Sequence, residues 1–260
     1  MGGSAEPYAN NPMRIPAIVP EARSAQKDKP GFDALCRVLD YTQENPALAI
    51  DLLRVVLKAV LARLATVRVV YPVPNRVSQG TAIGCVNSYL KERTGGSRLQ
   101  AVAVALFRAI GELYGQFPTV RSNNINAADA STGSAADLEC VAANGRIVKA
   151  VEVKDRQLAL LHVQVKLSML REKGITEAIF IVQGGTVPSD LAEIMALIDK
   201  EFGSGQNIYV ADFMRFLENH LIVFGEDGRR KFLQFVGNEL DAQNADIGHR
   251  RLWRDLLAAI

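Results

Sequence analysis

Cysteine, histidine and tryptophan are scarce in these 260 residues: there are three Cys, three His and one Trp. Cys36, Cys85 and Cys140 are odd in number and far apart, with no CxxC pair and no histidines clustered near them. A zinc site and a disulfide framework are both disfavoured, and a reducing, cytoplasmic setting fits. His162, His220 and His249 are too few and too scattered for a histidine-based metal centre. No run is long and apolar enough to span a bilayer, and the first residues lack a charged segment followed by an apolar one, so no membrane partner is expected. Charge of one sign is lacking too, the net value being +2. Its distribution is uneven: fourteen of the 30 Lys and Arg but only nine of the 28 Asp and Glu lie up to Val120, so a phosphate-facing surface is better sought there. What the chain has in quantity is apolar residues, 48% of the total, enough for one large domain or two small ones with a sizeable core.

The most informative stretch is Asp137-Leu138-Glu139-Cys140-Val141, then Asn144-Gly145, then Ile147 to Lys154. Two runs rich in Val, Ile and Leu around Asn-Gly predict a tight β-hairpin, because both turn residues accept positive φ. Side chains alternate along a strand, which puts Glu152 and Lys154 on one face and Val151 and Val153 on the other. Charges on a core-like strand are costly unless paired, solvated or bound to a metal. Asp137 can meet them where the strands diverge, and the three together have the form of a metal-dependent nuclease centre. Glu139 shares a face with Asp137 and could hold a second metal or take a structural salt bridge, the second being the preferred reading. Asp129 is a rival to Asp137 but no strand-like run follows it.

Asp137 followed by Glu152-Val153-Lys154 resembles the PD-(D/E)XK nuclease superfamily. The longer strings Asn126-Ala127-Ala128-Asp129, Ala136-Asp137-Leu138-Glu139-Cys140 and Val151-Glu152-Val153-Lys154-Asp155-Arg156 resemble the SacI-type family of type II restriction endonucleases. Ala136 stands where a proline often precedes the first acid. The resemblance implies an α/β fold with a mixed central β-sheet flanked by helices, a restriction-endonuclease-like core, here with a helical N-terminal part. It implies catalytic Asp137, Glu152 and Lys154, and an activity on a specific double-stranded DNA sequence. A glutamate on the helix before the catalytic sheet joins the metal shell in several such nucleases, and Glu112 is placed for it. Gln164, on the helix after the hairpin, matches a glutamine that orients the lysine or a phosphate.

Two carboxylates offer hard oxygens suited to Mg²⁺, with the Val153 backbone carbonyl completing the shell and Lys154 orienting or deprotonating a water. The segment from Arg121 to Ala136 is rich in Asn, Ser, Thr and Gly, which serve both turns and base edges. Asn123, Asn124 and Asn126 are candidate DNA contacts, and Arg121, Arg156 and Gln164 complete that set. An enzyme cutting a palindrome presents two copies of its site, so a homodimer is expected, with a cognate methyltransferase protecting the cell's own DNA. Three alternatives stay open: a structure-specific or repair nuclease, a non-catalytic DNA-binding module, and a surface Glu152-Lys154 pair in an unrelated α/β protein.

Along the chain, residues 1–30 read as an irregular arm, 31–118 as a helical region and 119–260 as the nuclease core with C-terminal helices, one compact domain overall. Helices are expected over Asp33 to Tyr41, from Asn45-Pro46 to about Leu64, over Thr81 to Arg93, and from Arg98 to Tyr114 behind a Ser97 cap. After the hairpin come a helix from Leu158 to Lys173, a strand Glu177 to Val182, a helix from Ser189 to Glu201, a strand Asn207 to Val210, a helix to Leu221 capped by Asp212, and a closing helix around Trp253.

Overall fold

Asp28 opens the first long helix by accepting the Gly31 N–H at 2.9 Å, with Pro30 in the first turn where its missing N–H does no harm. The structure, a computed structural model, describes residues 18–26, 28–122 and 134–260. Contacts divide the chain into two units, residues up to Val70 with Asp246–Gly248, and Tyr71–Ala245 with His249–Ile260. The first unit holds a 3₁₀ turn at Pro20–Ala25, α1 (Lys29–Glu44), a second 3₁₀ turn at Pro46–Leu48, and α2 (Ala49–Val67). Asn45 does not cap the second helix as expected. Its side chain instead donates to the Tyr41 carbonyl at 3.0 Å and closes α1. In α2 the apolar residues run round the cylinder, and Val55, Val56 and Val60 are exposed.

The second unit carries α3 (Gln79–Leu90), α4 (Ser97–Tyr114), β1 (Thr119–Ser122), β2 (Leu138–Val141), β3 (Ile147–Lys154), α5 (Leu160–Glu172), β4 (Glu177–Val182), α6 (Leu191–Gly203), β5 (Asn207–Asp212), α7 (Phe213–Ala242) and α8 (Ile247–Ala258). Ser78 caps α3 by accepting the Thr81 N–H, whereas α4 starts behind left-handed Gly96 and not behind a Ser97 cap. The five strands follow chain order across the sheet. β1/β2 and β2/β3 are antiparallel, and β3/β4 and β4/β5 are parallel. Parallel neighbours need crossovers, and α5 and α6 supply them. This is the α/β architecture with a mixed, helix-flanked sheet that the sequence predicts.

Strand alternation sorts the core into two layers. Leu138, Cys140, Val151 and Ile181 face α3, α4, α7 and α8, where Tyr89, Phe107, Phe232 and Trp253 are buried. Ala150, Ala178, Phe180 and Val182 face α5 and α6, through Val163, Leu167, Leu170 and Ile194. The hairpin turn departs from the two-residue form. Gly145 N–H donates to the Ala142 carbonyl, and Ala142 N–H to Arg146, so three residues bridge the strands and only Gly145 has positive φ (84°). A second irregularity follows in the ladder: the pairing shifts between Cys140 and Val141, with Val148 of β3 as the extra residue of a bulge. α7 runs well past Leu221, with a break at Gly225 (φ 66°), and Arg229 donates to the Leu221 carbonyl beside that break.

Candidate active site

Asp137 stands at the entry to β2, and its Oδ2 accepts the Val153 N–H of β3 at 2.8 Å. Glu139 pairs with Ala150 in the ladder, so Asp137, Glu139, Glu152 and Lys154 all point to the α5 side of the sheet. Lys154 Nζ lies 3.0 Å from Glu152 Oε2. The hairpin reading therefore holds in space: Asp137, Glu152 and Lys154 meet where β2 begins and β3 ends.

Glu152 is deeply buried, its side chain 5% exposed against 23% for Lys154. A buried carboxylate costs several kcal/mol before pairing, roughly, whereas an apolar side chain there would contribute about 1.5–3 kcal/mol. Stability alone thus argues against a glutamate at this position. A second lysine answers part of that cost. Lys166 of α5 brings Nζ to 2.5 Å from Glu152 Oε1, and it also donates to the Ala135 carbonyl at 3.2 Å. Oε1 is a buried oxygen with that ion-pair neighbour and no hydrogen-bond partner among the described residues. Burial first, and the adjacent Glu152 charge second, push the Asp137 carboxyl up to about 6, against the opposing pull of the Val153 N–H, Lys154 and Lys166.

The approach to Asp137 is fixed by Glu139. Its Oε1 accepts from Ser134 Oγ at 2.9 Å and from Ala135 N–H at 2.7 Å, two neutral donors in place of the ion-pair partner read for it. The exit from β3 is fixed by the turn after β4. Gln183 N–H donates to the Lys154 carbonyl at 2.8 Å, and Leu158 pairs with Thr186. Asp190 accepts the Leu160 N–H and His162 Nδ1 accepts the Ala159 N–H, so both side chains cap the start of α5.

Other candidates stand elsewhere. Glu112, half exposed on α4, is paired with Lys231 of α7. Among the described residues no third His, Cys, Asp or Glu joins Asp137 and Glu152, so the structure does not bring Glu112 to them. Gln164 is exposed on α5, while Lys166 two residues on turns inward. Arg121, on edge strand β1, and Arg156, just beyond β3, are exposed. Asn123, Asn124, Asn126 and Asp129 lie outside the described residues. Lys166 is the residue that reading the sequence missed. Val163, Lys166, Leu167 and Leu170 recur at helical spacing on one buried face, and that periodicity places the lysine inside.

An α/β core with a mixed sheet, and two acids and a lysine at the divergence of its hairpin, is the arrangement expected of a restriction-endonuclease-like domain. Residues 76–185 match the family model of the SacI restriction endonuclease C-terminal domain. The match runs from the approach to α3 to the turn after β4 and takes in Asp137, Glu152, Lys154 and Lys166. No curated protein matches the chain. Among the described residues no helix is long and apolar enough to cross a membrane.

Proposed function

We propose that the chain is a Mg²⁺-dependent type II restriction endonuclease that hydrolyses phosphodiester bonds at a specific double-stranded DNA sequence. The observation that carries this reading is the convergence of Asp137, Glu152 and Lys154 within the segment that matches the SacI-type domain. The donor set fits a hard dication. Asp137 and Glu152 supply carboxylate oxygens, Glu152 Oε1 is buried without a hydrogen-bond donor, and the Val153 carbonyl lies between Glu152 and Lys154 in the chain. Bound there, Mg²⁺ would supply positive charge to the scissile phosphate and to the leaving 3′-oxygen.

The chain's own groups do the rest. Lys154, the more exposed of the two lysines on Glu152, orients the attacking water and meets the charge that builds on phosphorus as the water oxygen bonds in line opposite the 3′-oxygen. The water's proton passes to solvent as the new O–P bond forms, and the 3′-oxygen takes up a proton from solvent as the P–O3′ bond breaks. Glu152 holds Lys154 in place, and Asp137 is held by the Val153 N–H. Arg121 and Arg156 serve as phosphate contacts flanking the hairpin. The polar segment with Asn123, Asn124 and Asn126 supplies base contacts, by its composition. Two copies of the chain act on a two-fold symmetric site, beside a methyltransferase that protects the cell's DNA.

Digestion of unmethylated phage DNA with and without Mg²⁺ tests this reading, at a salt concentration where non-specific binding is weak. Discrete fragments that need Mg²⁺ are expected. A Mg²⁺-dependent smear would overturn sequence specificity and point to a repair-type nuclease. Absence of cutting on DNAs that together contain every short palindrome would overturn the reading.

A further inference from the structure

Two lysines surround one buried carboxylate, and they are not alike. Lys154 hydrogen-bonds Glu152 Oε2 from the open end of β3, with 23% of its side chain exposed. Lys166 is 8% exposed and lies 2.5 Å from Glu152 Oε1 as an ion pair, while it donates to the Ala135 carbonyl. Its ammonium stands at the buried carboxylate oxygen that has no hydrogen-bond partner among the described residues, on the sheet face shared with Asp137. Two carboxylates this close repel, and a buried positive charge offsets that repulsion.

We propose that Lys166 is a positioning residue that acts as a built-in counter-charge: it holds Glu152 Oε1 beside Asp137 and yields that oxygen to an incoming divalent cation. The proposal rests on the nuclease reading of the same site. The Ala135 carbonyl gives the ammonium a second partner, so the lysine keeps a hydrogen bond when the cation takes the carboxylate. Because Ala135 N–H is bound to Glu139 and Ala135 lies two residues before Asp137, the same lysine ties the approach of one metal ligand to the side chain of the other.

The test compares the unaltered chain with Lys166→Gln, which keeps a donor for the Ala135 carbonyl without charge, and with Lys166→Arg, which keeps the charge. Binding of Mn²⁺ is read by paramagnetic resonance, and thermal unfolding is followed with and without the metal. Lys166→Gln is expected to bind Mn²⁺ roughly tenfold more tightly, the low end of couplings measured for close charge pairs. Its melting point should fall without metal and recover with it by more than the unaltered chain gains, and Lys166→Arg should behave as the unaltered chain does. A Lys166→Gln chain that folds only with Mn²⁺ present would also bear the proposal out. Equal or weaker Mn²⁺ binding in Lys166→Gln would overturn it, as would a variant that stays unfolded in metal, because a counter-charge must be replaceable by the cation. If the unaltered chain bound no Mn²⁺, the metal-dependent reading would fall first and the proposal with it.

Discussion

The carboxylate of Asp137 accepts the backbone N–H of Val153 at 2.8 Å, so an acid at the entry to one strand is tied to the main chain between Glu152 and Lys154 on the next. That single bond sets two carboxylates and a lysine in one place. It also holds the half-buried Asp137 next to a like charge, which has consequences for stability and for pH.

Asp137→Asn should stabilise the protein at neutral pH. The carboxyl is raised to about 6 in the folded chain from 3.8, by burial and by Glu152. Between those values the folded state holds a proton that the unfolded state has lost, so stability falls as pH rises and the full penalty is present above about 6. Removing the charge should recover roughly 1–3 kcal/mol at pH 7 without metal, and nothing below about pH 4. Urea unfolding of both proteins at pH 4 and pH 7 checks this. A variant less stable than the parent at pH 7 would count against it.

Cleavage should share the same titration. Asp137 can serve a cation only when ionised, so activity at low Mg²⁺ should decline as pH drops through about 6. More Mg²⁺ should move that limb to lower pH, because the cation favours the charged form. The profile is measured as initial cutting rate against pH at two Mg²⁺ concentrations. An acid limb that stays fixed at both concentrations would separate the titrating group from the metal ligands.

Glu139→Ala should loosen the approach to the site. It leaves the Ser134 hydroxyl and the Ala135 N–H without their shared acceptor, which costs about 1–3 kcal/mol for buried groups. Glu139→Gln keeps a carbonyl oxygen in that position and should recover most of the loss. Thermal melting separates the two, and equal destabilisation by both would mean that the charge, not the acceptor, matters.

Gly184→Ala should disturb the exit from β3. An added Cβ would lie 2.6 Å from the Arg156 carbonyl carbon and 2.7 Å from the Gln157 nitrogen, against backbone that has no side chain to rotate away. The neighbouring Gln183 N–H holds the Lys154 carbonyl, so the shift should reach the lysine. A loss of about 1–3 kcal/mol and slower cutting are expected. Unchanged melting and rate would show that the turn after β4 does not fix Lys154.

The parts of this architecture that announced themselves are those with strong local periodicity. The strand Glu177–Val182 carries five apolar residues in a row, and the hairpin's apolar alternation put Glu152 and Lys154 on one face. Edge strand β1 was hidden because it is four residues long, with Val120 as its only buried residue, and the sequence after it is polar. The long reach of α7 was hidden because Gly225 and Gly228 disfavour a helix interior. Gly225 does break the helical conformation, but the chain resumes its helix and Gly228 packs against Phe224 and Leu113. At the site, Asp137, Glu152 and Lys154 were legible from charge on apolar strands. Lys166 was not, since a lysine on a helix ordinarily faces water, and only its partner across the fold shows what it does.

The central claim is that Asp137, Glu152 and Lys154 cut DNA. Its most direct test measures cleavage and binding together, on one DNA that the unaltered chain cuts, for Asp137→Ala and for Lys154→Ala. Both variants should lose cutting by at least about a hundredfold while binding that DNA nearly as well as the parent. Cleavage that survived both changes would contradict the account and place the chemistry elsewhere.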